Sequence, residues 1–283
     1  MRLSAVHAIV GVLFLLVFSV FLSTTDQSSI ELAEAKPVSL YYEGLLPALS
    51  AKAYAIFDVT SGAVVVSKEA ETVLPIASVT KLVTATAVLR NLPLEEKATV
   101  SVSDVDAYGR AGRLQVGDIY TNYDLLFPLL LESSNDAAAV YERRTGGEVV
   151  TLMNRLVADM GAENTHFADA SGLSDSNVST ANDLVKIVSD LNRDEPHIFD
   201  ISRLSKKMGE YVGWANNSPV WQADYLGGKH GFTEAAGKTA AVLFSEEIDG
   251  KEKVIGYIIL GSKDLVTDTA NLRDFVRDSV HFE

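Results

Sequence analysis

The sequence predicts an α/β fold of the α+β type, in which helices flank an antiparallel sheet and a helical cluster is inserted between its first and last strands. Two observations carry this: a strand-turn-strand pattern lies near each end of residues 40–283, and the stretch between them reads almost entirely as helix and loop. Residues 53–58 and 63–66 flank Thr60-Ser61-Gly62, the pattern of a hairpin. Residues 240–245 and 254–260 flank Asp249-Gly250, a second hairpin, and helical periodicity follows over 264–280. Between the hairpins, residues 77–90, 122–132, 134–144, 148–160 and 180–191 read as helices. Gly227 to Gly231 reads as the entry into the penultimate strand. No internal repeat or low-complexity tract interrupts this order.

The N-terminus reads as an export segment. Met1-Arg2 precedes an apolar run over residues 5–22, long enough to cross a bilayer, and Arg2 on the short side favours a cytoplasmic N-terminus. No small-x-small cleavage site follows closely, since Ala33-Glu34-Ala35 lies well downstream; an uncleaved membrane anchor is therefore expected over a cleaved signal. Residues 23–39 are polar and aperiodic and read as a linker. The expected organisation is an anchor or signal at 1–22, a linker at 23–39 and one catalytic domain at 40–283, placed outside the cytoplasm.

Composition narrows the function classes. With 24 Lys+Arg against 38 Asp+Glu the formal charge is -14, which repels a phosphate backbone, so nucleic acid is not an expected partner. There is no cysteine, hence no disulfide, thiolate site or lipid-modified cysteine, and the five histidines lack metal-ligand spacing. Neither a metal nor a cofactor is expected.

Three short patterns occur in order: Ser78-Val79-Thr80-Lys81, Ser133-Ser134-Asn135 and Lys229-His230-Gly231. Ser78 opens a helix, where unpaired N–H groups and the positive end of the helix dipole collect. Lys81 lies one turn on, on the same face, where a dry lysine can act as the base for a serine nucleophile. The plainer alternative is a capping serine and a surface lysine, although Leu82, Val83, Ala85, Ala87, Val88 and Leu89 make this helix apolar on most sides. Ser133 and Asn135 sit at a helix-helix junction, where a hydroxyl can pass a proton and an amide can bind an amide; turn and cap chemistry accounts for the same residues. Gly227 and Gly228 allow a chain to lie against the strand, with Lys229 offering charge to a carboxylate, or else form a turn beside a solvated lysine. Spacing alone does not choose, because Lys207-Met208-Gly209 and Lys238-Thr239-Ala240 are decoys for the third pattern.

The flanks choose. Residues 75–81 and 129–138, Asn164-Thr165-His166-Phe167 with Ser171-Gly172-Leu173, residues 179–184, and Gly228 through Thr233 to Ala236-Gly237 resemble, in order, the signatures of the penicillin-binding D-alanyl-D-alanine carboxypeptidases, relatives of the serine β-lactamases. The resemblance covers roughly residues 40–283. It implies a β-lactamase/DD-peptidase-like fold, with the active site between sheet and helical cluster. It implies Ser78 as nucleophile, Lys81 as its base, Ser133 as proton shuttle, Asn135 as a substrate-amide contact and Lys229 as carboxylate anchor. His230, Gly231, Phe232 and Thr233 would complete the substrate-binding strand, with the N–H groups of Ser78 and Phe232 as oxyanion hole. The implied substrates are peptidoglycan stem peptides ending in D-Ala-D-Ala, with β-lactams as inhibitors.

The chain departs from the family pattern at His230, where a threonine or serine is usual. An imidazole can donate a hydrogen bond, add a charge when protonated, or block the site by its size. A serine-type carboxypeptidase is the expected function. A D,D-endopeptidase using the same machinery and a non-catalytic peptidoglycan-binding module are the alternatives. A β-lactamase is disfavoured, since a glutamate with an asparagine four residues later is missing: Glu163 is followed by Phe167.

Overall fold

The computed structural model describes residues 39–106, 109 and 111–283. The expected export segment and all but the last residue of the expected linker lie outside them. Among the described residues no helix is long and apolar enough to cross a membrane.

The described chain opens on a short strand, β1 (Leu40–Tyr42), followed by β2 (Ala53–Asp58) and the returning β3 (Val64–Lys68). Asp58 shapes the turn between them, its Oδ1 accepting from Thr60 N at 2.8 Å. After β4 (Leu74–Pro75) a single 3-10 turn, Ala77–Val79, runs directly into α1 (Thr80–Asn91). The inserted cluster comprises β5 (Lys97–Thr99), α2 (Val102–Val105), β6 (Ile119–Thr121), α3 (Leu126–Leu131), α4 (Asn135–Arg144) and α5 (Glu148–Asp159). Next come β7 (Val178–Ser179), which pairs with β4, then α6 (Ala181–Asp194), α7 (His197–Ser202) and the hairpin β8 (Lys206–Met208) to β9 (Gly213–Ala215). Three long strands, β10 (Tyr225–Thr233), β11 (Gly237–Ile248) and β12 (Lys251–Ser262), return the chain to the sheet. α8 (Leu265–Ser279) and β13 (Val280–Phe282), paired with β1, close it.

The main sheet is antiparallel throughout, with strand order β10-β11-β12-β2-β3, so the first and last hairpins meet as the sequence predicts. Every residue of β2 is buried, which requires cover on both faces. The strand's two-residue period divides it: Ala53, Ala55 and Phe57 join the core under α1, α4 and α6, while Tyr54 and Ile56 join the core under α8. The buried face of α8, Leu265, Leu272, Phe275 and Val276, fills the second layer. α1 lies at the centre of the first layer, with residues 80–88 buried.

Two expectations need correction. Gly227 to Gly231 belongs to a strand of its own, β10, at the sheet edge; Gly237 at φ 66 and a hydrogen bond from Ala236 N to Thr233 Oγ1 (3.1 Å) break it from β11. Residues 122–125 are not helical, because Thr121 and Asp124 bond reciprocally and Asn122 Nδ2 donates to Pro93 O at 2.8 Å, which holds a turn before α3. Sequence periodicity also passed over the short pairs β1/β13, β4/β7, β5/β6 and β8/β9.

Gly256 on β12 faces Phe57 across the ladder, and a β-carbon built there stands 2.2 Å from Phe57 Cζ. Phe57 is fully buried and has nowhere to turn. Gly256→Ala is therefore expected to destabilise the fold by about 1–3 kcal/mol in denaturant titration; an unchanged midpoint would mean that this layer can expand.

Candidate active site

Ser78 occupies the 3-10 turn rather than a cap position, and neither this turn nor α1 carries a side-chain cap hydrogen bond at its start. Lys81 follows one turn later and is completely buried, with 0% exposure. The alternative of a capping serine and a surface lysine is thereby removed. Lys81 Nζ lies 3.0 Å from Ser78 Oγ, 2.7 Å from Asn135 Oδ1 and 2.5 Å from the Ser171 carbonyl oxygen.

This contact set suits both charge states of the amine. An ammonium donates to all three oxygens; a neutral amine donates to Asn135 and Ser171 and turns its lone pair to the Ser78 hydroxyl. Burial, then the charge of Lys229, holds the Lys81 amine well below the ordinary lysine range, while Asp169 opposes them. A serine hydroxyl against a dry, deprotonatable amine can lose its proton as it attacks a carbonyl.

The α3–α4 junction supplies the second pattern. Ser134 caps α4, its Oγ accepting from Ala137 N at 3.0 Å, and Ser133 adopts the left-handed region at φ 60. Asn135, the first residue of α4, bridges two elements: its Oδ1 accepts from Lys81, and its Nδ2 donates to Gly109 O at 2.5 Å. The Ser133 hydroxyl makes no hydrogen bond to Ser78 or Lys81 among the described contacts.

The free edge of β10 approaches the start of α1. A β-carbon built on Gly231 stands 2.4 Å from Ser78 N and 2.9 Å from Ala77 Cβ, so only glycine lets strand and turn meet. Thr239 on β11 reinforces the seam by donating to Ile76 O at 2.9 Å. Lys229 is 1% exposed and donates to the carbonyl of His230 at 2.8 Å; burial lowers its amine to about 7. His230 is half-buried, and burial, then the charges of Lys229 and Lys81, push its imidazole far below its usual range. A neutral ring that can still donate one N–H is favoured over the charged imidazolium that the sequence left open. Phe232 is 65% exposed, and Thr233 accepts the turn bond already noted.

The loop over residues 168–174 completes the wall. Gly172, at φ 83, lies so close to Ser78 that a β-carbon there would meet Ala77 O at 2.1 Å and Ser78 N at 3.0 Å. Sequence reading noted Ser171-Gly172-Leu173 without giving it work, and passed over Asp169 and the Ser171 carbonyl. The Asp-x-Ser-Gly run is the available signal, since an aspartate before a serine-glycine pair marks a side-chain-stabilised turn.

This architecture is that of the penicillin-binding D,D-peptidases, with Ser78, Lys81 and Asn135 joined by hydrogen bonds where sheet and helical cluster meet. The chain belongs to the D-alanyl-D-alanine carboxypeptidase family, whose sequence model matches residues 43–261. It is 33% identical over 198 residues to a D-alanyl-D-alanine endopeptidase of Pseudomonas aeruginosa, covering 64% of this chain and 63% of that protein. A D-alanyl-D-alanine carboxypeptidase of Mycobacterium tuberculosis is 32% identical over 206 residues, 69% of this chain and 70% of its own length. Among solved structures, a D-alanyl-D-alanine carboxypeptidase from Mycobacterium tuberculosis has a TM-score of 0.74 at 28% identity, covering 82% of this chain and 93% of that one.

Gly231→Ala is expected to push β10 away from Ser78 and slow acylation of the serine by about 100-fold, the usual cost of a misplacement near 1 Å. Stopped-flow acylation by a fluorescent penicillin reads this; a rate within threefold of the parent, roughly, would detach the seam from the chemistry.

Proposed function

We propose that the chain is a serine D,D-peptidase that cleaves the terminal D-alanyl bond of peptidoglycan stem peptides through an ester on Ser78. The observation that carries this reading is the buried Lys81 amine, 3.0 Å from Ser78 Oγ inside the family-matched region. Ser78 Oγ attacks the carbonyl of the penultimate D-alanine as its proton passes to Lys81 Nζ. The N–H groups of Ser78 and Phe232 receive the developing oxyanion. The C–N bond breaks as the leaving amine takes a proton by way of Ser133, and water then hydrolyses the ester. Asn135 contacts the substrate amide, and Lys229 with a neutral His230 holds the terminal carboxylate between Gly231 and Thr233. β-Lactams enter as substrate mimics that leave a slow acyl-enzyme. A peptidoglycan substrate places the work outside the cytoplasm, consistent with an export segment at residues 1–22.

A second reading, D,D-endopeptidase action on cross-links, is favoured by the name of the Pseudomonas relative, and the same residues would serve it. A binding module without chemistry is disfavoured by the intact contacts between Ser78, Lys81 and Asn135, which recognition alone does not require.

Intact-mass analysis with benzylpenicillin is expected to show one adduct that Ser78→Ala abolishes. Release of free D-alanine from a pentapeptide, against cleavage of a cross-linked dimer, separates the two peptidase readings, and absence of both adduct and turnover would remove them together. Because the amine of Lys229 is lowered to about 7, its cation is lost as pH rises through that value. KM for a carboxylate-ended peptide is therefore expected to climb above pH 7, more steeply than kcat changes. His230→Ala should raise KM about tenfold, the worth of a hydrogen bond to a charged group, and His230→Thr should restore it; a KM unaltered in the alanine variant would put the ring outside the carboxylate site.

A further inference from the structure

We propose that Asp169 is a positioning residue of this site, holding the 169–174 loop so that the Ser171 carbonyl meets Lys81 and placing a fixed negative charge behind the amine. The inference rests on the peptidase reading above. The Asp169 carboxylate accepts from several donors of its own loop and its neighbour Asn177. Oδ1 accepts from Ser171 N (2.8 Å), Ser171 Oγ (2.9 Å), Gly172 N (2.6 Å) and Asn177 Nδ2 (3.2 Å), and Oδ2 accepts from Ser174 N (2.7 Å). A carboxylate accepting from so many donors fixes the turn it caps. Burial opposes its ionisation, but the amides of Ser174, Gly172 and Ser171 outweigh burial and keep Asp169 charged below the ordinary carboxylate range.

The turn so fixed is the part of the loop that touches the nucleophile. Its Ser171 carbonyl accepts from Lys81 Nζ, and its Gly172 lies against the Ala77–Ser78 peptide. Two further hydrogen bonds tie this region to α1: Thr84 Oγ1 donates to Ala170 O at 2.7 Å, and Asn177, just beyond the loop and bonded to Asp169, donates through Nδ2 to Thr80 Oγ1 at 3.2 Å. Asp169 thus acts through two groups, orienting an acceptor for the amine and pressing a glycine against Ser78.

The charged groups around Lys81 define the electrostatic half. Lys229 and its neighbour His230 face it from β10, Asp169 faces it from the loop, and Glu142 on α4 stands behind Asp169, accepting from Ala170 N. Lys229 disfavours the Lys81 cation and Asp169 favours it. Removing the Asp169 charge leaves Lys81 easier to deprotonate, so the acid limb of a rate that needs the neutral amine moves to lower pH.

The test is the pH dependence of Ser78 acylation by a fluorescent penicillin in the full chain and its variants. For Asp169→Asn the acid limb should move to lower pH while the limiting rate falls about tenfold from the loosened turn. Asp169→Glu should keep the parent limb, with the same fall in limiting rate because the longer arm cannot serve all its donors. It carries the test alone if the asparagine variant does not accumulate folded. Glu142→Gln should leave the limb in place. A slower Asp169→Asn with an unmoved limb, or an Asp169→Glu limb displaced to lower pH, would overturn the assignment. A parent protein that forms no adduct would instead overturn the peptidase reading on which it stands.

Discussion

The dry amine of Lys81 is the constraint on which the rest of this structure depends. Taking an ammonium out of water costs several kcal/mol even after relaxation, so the fold must supply both the dryness and the compensating contacts. Dryness comes from α1, which is buried around nearly its whole circumference. Compensation comes from three separate elements: the turn of Ser78, the first residue of α4, and the 168–174 loop. None of these is close in sequence to another, so the lysine knits the inserted helical cluster to the segment that leads out of the sheet.

The second dependence is steric. Two glycines, Gly231 on the sheet edge and Gly172 in the loop, approach the same peptide unit at Ser78 from different sides. Each does so by lacking a β-carbon, and each would be driven off by one. Close approach of backbone to backbone at this peptide is open to glycine and closed to residues with a side chain. Ser78 is therefore gripped between strand and loop and needs no cap from its own helix.

Much of this was legible in the sequence, and the reasons are specific. Strand-forming runs flanking Thr60-Ser61-Gly62 and Asp249-Gly250 marked the hairpins, and apolar residues on most sides of 82–89 pointed to the burial of Lys81. The first two patterns named Ser78, Lys81 and Asn135, which the structure joins by hydrogen bonds. The separate identity of β10 was missed because its glycines read as an entry turn; its pairing with β11 depends on a long-range ladder that local pattern does not encode. Asp169 and the Ser171 carbonyl were missed for a different reason. A carbonyl carries no sequence signal, and an aspartate in a turn looks the same whether the turn faces water or a catalytic lysine.

His230 brings the electrostatics together. In a protein of formal charge -14, the site gathers Lys81 and Lys229 in buried positions, and the His230 imidazole is pushed toward its neutral form by burial and by their charges. Burial alone lowers the Lys229 amine to about 7, so near neutral pH part of that amine is uncharged. On the peptidase reading, a substrate carboxylate arrives as the missing counter-ion and favours the Lys229 cation again. Binding above neutral pH then draws a proton into the site, and the linkage is reciprocal: whatever keeps Lys229 charged tightens the carboxylate, and the carboxylate keeps Lys229 charged. On the same reading a neutral imidazole, like the hydroxyl usual at position 230, adds a donor without adding charge, so it would hold the carboxylate while leaving Lys81 free to be the base.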